Sequence, residues 1–135
     1  MNSLLTGCDL ETFDNGDLEG YWKLHAVDTL ETAGKSDLTY QSLFWAVQGN
    51  LLSVCDNQDP ALDVFLFRFT HVGDSLKLSD AKGYDKMDGD FILTNDEQLH
   101  RFGINNLSEG YHIEQLNSSH MRLTSKTLRL YFRKM

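Results

Sequence analysis

The chain has 135 residues, enough for one domain and too few for two. Hydrophobic residues make up 41% and charged residues 24%, with one Pro and 10 Gly, which excludes a disordered, coiled-coil, collagen-like or low-complexity chain. Lys and Arg number 12 against 20 Asp and Glu, so the formal charge is −8. That balance disfavours nucleic acid, and an anionic membrane, as partners of the bulk surface.

Two cysteines are too few for a disulfide scaffold, and they sit in different settings. Cys8 closes the tetrapeptide Leu5-Thr6-Gly7-Cys8, which resembles a bacterial lipobox whose Cys is acylated. Met1 to Leu5 provide no basic region and only a stub of an apolar one, which leaves two readings, the tail of a clipped signal, which is favoured, or a chance tetrapeptide. Asp9 to Asp17 is acidic and turn-rich and reads as a tether. Residues 1–17 are thus lipobox remnant and tether, and 18–135 the folded domain. No run approaches the roughly 18 apolar residues of a membrane span.

After the tether come short strands separated by turn signals. Gly20 to Val27 alternates, with Trp22, Leu24 and Ala26 on one face. Asp28 to Gln41 is polar and long enough for a flap. Ser42 to Gln48 and Leu51 to Cys55 flank Gly49-Asn50, a hairpin signal that pairs Val47 with Leu52 and Trp45 with Val54. Val64 to Val72 and Ser75 to Ser79 flank Gly73-Asp74, pairing His71 with Leu76 and Phe69 with Leu78. One face of that hairpin then carries Phe65, Phe67, Phe69, His71, Leu76 and Leu78. Ala81 to Gly89 reads as loop and Asp90 to Leu93 as a short strand. A short helix is expected near residues 95–102, started by a capping box (Thr94 with Glu97, or Asn95 with Gln98) and stopped by Gly103. Leu99 and Phe102 form its buried side. Tyr111 to Leu116, Met121 to Thr124 and Leu128 to Arg133 close the chain. A Ser125-Lys126 turn pairs Leu123 with Leu128 and Met121 with Leu130.

Nine locally connected strands favour an all-β, antiparallel up-and-down meander that closes into a barrel of about eight strands, because closure removes the two exposed edges. Leu18-Glu19-Gly20-Tyr21-Trp22 in the first strand resembles the Gly-x-Trp signature of lipocalins. The whole pattern is similar to the small lipocalin-like domains of Gram-negative envelopes, in which a lipobox Cys and a short acidic tether precede the domain. The resemblance covers roughly Leu18 to Met135. It implies that Trp22 packs at the closed end of the barrel with a basic residue, Arg133 or Lys134, laid across its indole.

The five histidines form neither His-x-His nor His-Glu-x-x-His, so no metal site is expected. No nucleophile elbow or phosphate loop is present, and Cys55 has no nearby cation to activate it. No catalytic residue and no cofactor are assigned. His71, inward on the aromatic face, is the one candidate haem ligand or base, against a plainer reading as a half-exposed residue at a strand end.

The leading expectation is a non-enzymatic, monomeric envelope lipoprotein, held by lipid at the outer membrane or periplasmic face. It binds a small apolar ligand within the barrel among Trp22, Trp45, Phe65, Phe67, Phe69, His71 and Leu76. The alternative is an interaction or inhibitor module with a filled core, engaging an envelope protein through exposed aromatics such as Tyr40, Tyr84 and Tyr111. If Cys8 carries the anchor, Cys8→Ser expressed with its native leader gives a folded protein that no longer partitions with membranes. Fractionation of the two forms checks this, and equal membrane partitioning refutes the anchor.

Overall fold

The computed structural model describes residues 15–58, 64–85 and 87–135. The N-terminal residues that include Cys8 lie outside that set. The elements are a 3₁₀ turn Gly16–Leu18, then β1 (Gly20–Thr29), β2 (Gly34–Asp37), β3 (Leu43–Gln48), β4 (Leu51–Asp56), β5 (Val64–Val72), β6 (Ser75–Asp85) and β7 (Gly89–Ile92). A 3₁₀ helix Glu97–Phe102 precedes β8 (Glu109–Leu116), β9 (His120–Thr124) and β10 (Leu128–Lys134).

All pairings are antiparallel, and β10 pairs with β1, which closes a ring in the order β1, β3, β4, β5, β6, β8, β9, β10. The ring has eight positions and is the all-β, up-and-down barrel that the local turn signals imply. Two positions are each filled by a broken strand. β2 pairs with the far half of β1 and β3 with its near half. In the same way, β7 pairs with the far half of β6 and β8 with its near half. The first break is short. The second releases residues 94–108, which carry the 3₁₀ helix.

The two early hairpins form in the predicted register, with Val47 opposite Leu52, Trp45 opposite Val54, His71 opposite Leu76 and Phe69 opposite Leu78. Gly49 and Gly73 take the positive φ those turns require. Elsewhere the structure departs from simple alternation. A bulge between Leu24 and Ala26 shifts β1, so that Val27 packs against the core in place of Ala26. Residues 34–37, within the expected flap, form β2. β6 continues through the expected loop to Asp85, after Asp80 enters the left-handed region at φ 54°. The final hairpin turns on Lys126-Thr127, one residue later than expected. Ser125 N–H donates to Leu128 O (2.8 Å), and Leu123 faces Leu130. That slip moves partners by two residues and leaves every side chain on its expected face.

One end of the barrel is sealed by the first described residues. Leu18 is fully buried and its carbonyl accepts the Trp22 indole N–H at 2.9 Å. Lys134 lays its ammonium 4.9 Å from the Trp22 ring centroid and donates to Asp17 O at 2.9 Å. The basic residue across the indole is therefore Lys134, an interaction worth about 0.5–1 kcal/mol. Gly20 has φ 135°, and a Cβ there would lie 3.0 Å from Lys134 Cε, so the glycine of the Gly-x-Trp element makes room for that lysine.

Gly103 ends the 3₁₀ helix at φ 82°, its N–H shared between His100 O and Leu99 O. A Cβ at this position would meet Leu130 Cδ2 at 2.5 Å. Left-handed strain and overpacking together predict that Gly103→Ala destabilises the fold by about 2–4 kcal/mol, measured by urea unfolding.

Candidate functional site

The interior face of the barrel is built as the alternation predicts. Trp22, Leu24, Trp45, Val47, Leu52, Val54, Phe65, Phe67, Leu76, Leu78, Met121, Leu123, Leu130 and Phe132 are buried in one cluster. Phe69 and Leu128 are partly buried against it. His71 is half-buried near the Gly73-Asp74 turn, opposite Leu76.

The sequence reading missed what else occupies the cup. The break between β7 and β8 sends residues 94–108 across the mouth opposite the Trp22 end. Leu99, Phe102 and Ile104 reach complete burial there. Leu99 and Phe102 are three apart, and a 3₁₀ turn of three residues sets both on one side. Neither expected capping box forms. Asn95 Oδ1 accepts instead from Glu97 N at 3.2 Å, a local Asx turn.

Polar bonds inside the cup hold this plug. The Trp45 indole N–H donates to Phe102 O at 3.0 Å, and the Tyr111 hydroxyl to Gly103 O at 2.7 Å. Trp45 also meets Phe132 and Tyr111 edge-on, at 4.8 and 5.7 Å between centroids, and Phe65 meets Phe102 at 6.3 Å. Burial, then the nearby Glu109 carboxylate, pushes the Tyr111 hydroxyl well above its ordinary range, so it stays a donor. At the rim, Arg101 donates to Asp56 Oδ2 at 2.9 Å and lies 4.9 Å from the Phe102 ring centroid. The structure thus brings Trp22, Trp45, Phe65, Phe67 and Leu76 together, with the chain's own Phe102 seated among the aromatic residues. The sequence signal for this was the apolar triplet Leu99, Phe102 and Ile104 beside the helix stop Gly103.

Cys55 is half-buried on the outer face, where its thiol donates to Asn57 Oδ1 at 3.4 Å. Burial pushes the thiol pKa up, the opposite of an activated nucleophile. Among the described residues no three His, Cys, Asp or Glu converge to hold a metal, and no helix is long and apolar enough to cross a membrane.

Exposed apolar side chains occur at both ends of the barrel: Val72 (75%) and Met135 (67%) stand out at the Trp22 end, and a group stands at the mouth. On the β6–β7 hairpin Tyr84 is 47% exposed, Met87 91%, Phe91 48% and Ile92 76%. Tyr40 and Leu30 are exposed on the other flange, whereas Tyr111 is buried. At the base of the hairpin a recess of about 480 Å³ opens at the break between β7 and β8, lined by residues including Ala81, Ile92, Leu93 and Leu107. Its size falls in the range of small-molecule sites.

A family profile for the lipocalin-like domain matches residues 3–135. The chain belongs to the lipocalin-like domain family. Two solved structures share the fold. A lipocalin-like protein from Bacteroides uniformis is 22% identical, with a TM-score of 0.67, covering 89% of this chain and 100% of its own. An uncharacterized protein from Bacteroides eggerthii is 16% identical, with a TM-score of 0.59, covering 87% and 98%. No curated protein matches in sequence.

In this lipocalin-like barrel the plug is a structural member of the core. Phe102→Ala is expected to cost about 3–5 kcal/mol in chemical unfolding, with a red shift of tryptophan emission from Trp45. A loss below about 1 kcal/mol would show that Phe102 is not packed in the cup.

Proposed function

We propose that this protein is a non-enzymatic interaction module of the cell envelope, tethered by lipid at Cys8, that engages an apolar surface of an envelope protein with the rim of its barrel. One observation carries the reading. The aromatic face is sealed by the chain's own Phe102, while large apolar side chains stand exposed on the β6–β7 hairpin at the mouth. Scattered exposed apolar residues need no explanation, but a grouped patch beside an open recess marks a binding surface. The acidic Asp85, Asp88 and Asp90 on the same hairpin favour a partner whose apolar contact is rimmed by basic residues. The lipobox-like Leu5 to Cys8 and the acidic stretch after it support the tether.

A second reading has a specific observation behind it. The plug enters from the mouth, where the partly exposed Arg101–Asp56 pair adds to the buried bonds from Trp45 and Tyr111. Exposed ion pairs contribute little, about 0–1 kcal/mol. A small apolar ligand that displaces Phe102 would then occupy the cup among Trp45, Phe65 and Phe67.

One double variant and a titration of the wild type separate the readings. Ile92→Asp with Met87→Asp changes well-exposed side chains, so unfolding free energy should move by only about 0.5 kcal/mol per site. Capture of a stoichiometric envelope partner is expected to disappear in this double variant, while fatty-acid titration of the wild type leaves tryptophan emission unchanged. Saturable quenching by fatty acid, with partner capture unaffected by the substitutions, would instead assign function to the cup.

A further inference from the structure

Lys23, Arg133 and His120 are consecutive outward neighbours across three strands. Lys23 of β1 pairs with Arg133 of β10, and Arg133 with His120 of β9. Trp22 and Leu24, Phe132, and Met121 are buried, so parity turns all three polar side chains to the outside of the barrel. The bulge in β1 adds His25 to the same face, its ring 6.3 Å from that of the outward Tyr131. Like charges directly opposite on a sheet are destabilising. Lys23 with Arg133 is the one cross-strand pair of Lys or Arg residues among the described strands, in a chain of net charge −8.

The acids nearby have other partners, and Asp37 keeps a negative charge opposite His25. Glu114 is shared by Arg122 and Arg129, at 2.9 and 2.8 Å. Asp28 accepts from the Tyr131 hydroxyl at 2.7 Å. Asp37 faces His25 and accepts from Thr39 N at 2.9 Å and from the Thr39 hydroxyl. Lys23 donates to Thr39 O, and His120 Nδ1 meets Ser119 Oγ at 2.8 Å. The Arg133 side chain makes no hydrogen bond or ion pair among the described residues. Its planar fork of donors therefore stands open between a lysine and a histidine.

We propose that Lys23, His25, His120 and Arg133 form a binding site for a phosphate-type oxoanion on the outer face of the barrel. The ligand is either a free phosphorylated small molecule or the phosphate of a lipid headgroup. Arg133 supplies the bidentate donor pair, Lys23 a point charge, and the histidines donors whose charge depends on pH. The groups facing His25 are Lys23 on its own strand, Asp37 on β2, Arg133 and Tyr131 on β10 and His120 on β9. Burial first, then Arg133, His120 and Lys23, hold the His25 pKa below its ordinary value against the opposing pull of Asp37. A bound anion reverses that sign and favours imidazolium. Binding therefore strengthens as pH falls through the histidine range and weakens as it rises.

The test uses the full chain with inorganic phosphate at constant ionic strength, following the imidazole protons of His25 and His120 by NMR. Saturable shifts are expected, with affinity falling about tenfold or more in Arg133→Gln, the loss of a charge-assisted hydrogen bond. His25→Gln should flatten the pH dependence, and the control Lys77→Gln on β6 should change neither. Co-sedimentation with phosphatidylglycerol vesicles, against phosphatidylcholine, tells the sources apart. Vesicle binding lost in Arg133→Gln assigns the headgroup, and phosphate binding without vesicle binding assigns a soluble ligand. No saturable shift with phosphate and no vesicle binding, or shifts unchanged in Arg133→Gln with its fold intact, overturns the site.

Discussion

Closing eight strands into a ring fixes an interior volume that must be filled. The ring closes where β10 pairs with β1 over Trp22 to Thr29, so both ends of the chain's strand order meet on one seam. The Trp22 end of that volume is taken up by Leu18 under the signature indole. The other end is taken up by Leu99, Phe102 and Ile104, delivered by the break in the sixth ring position. The Trp45 indole bond to Phe102 O ties the two halves together. It satisfies a buried N–H that has no strand partner, and it seats the backbone of the insert where the aromatic rings can pack. Without that insert, Trp45, Phe65 and Tyr111 would border a void, and the Tyr111 hydroxyl would be buried without its acceptor.

The same break determines where the surface is apolar. A continuous strand opposite β6 would have ended at the mouth with an ordinary hairpin. Here β7 stands beside the far half of β6 alone, with Phe91 over Gly83, and the chain then turns inward. The hairpin is left standing as a flange that exposes Met87 and Ile92, and a recess opens where β7 and β8 part. Core filling and exposed rim are two consequences of one interruption.

Sequence was most informative where local chemistry and pattern coincide. Gly49-Asn50 and Gly73-Asp74 require positive φ, and a two-residue loop between alternating runs admits one register, so both hairpins were legible to the residue. The 3₁₀ stop at Gly103 and the burial of Leu99 and Phe102 were legible for the same reason. What failed was alternation across irregularities. The bulge after Leu24 exchanges Ala26 for Val27, and the left-handed Asp80 makes the second half of β6 read as loop. Its inward positions there are Ala81 and Gly83, the glycine leaving room for Phe91, so the apolar signal vanishes where the strand continues. The plug itself was visible as apolar residues, but its destination was not, since that depends on contacts with Trp45 and Tyr111 far along the chain. The basic row was invisible for a related reason. Lys23, His120 and Arg133 are scattered in sequence and meet only through the β1–β10–β9 register.

The basic row and the β6–β7 hairpin lie at opposite ends of the barrel axis. Asn15, the first described residue, donates to Gly49 O at 2.8 Å, which places the chain's entry at the Trp22 end. The Lys23–Arg133–His120 row lies on the outer wall toward that same end, since Lys23 is near the start of β1 and Arg133 near the finish of β10. The β6–β7 hairpin, with its exposed Met87 and Ile92, projects at the opposite end. The tether proposed at Cys8 would join the domain at the basic end, where Asn15 enters. An acidic domain held there by lipid, as proposed, would meet an anionic surface with its basic row and carry the β6–β7 hairpin away from it. Screening over a Debye length of about 8–10 Å hides the bulk negative charge from the headgroups, so the nearest charges decide the orientation. The fold thereby separates what would hold the molecule from what would engage a partner, using one ring of strands and two interruptions in it.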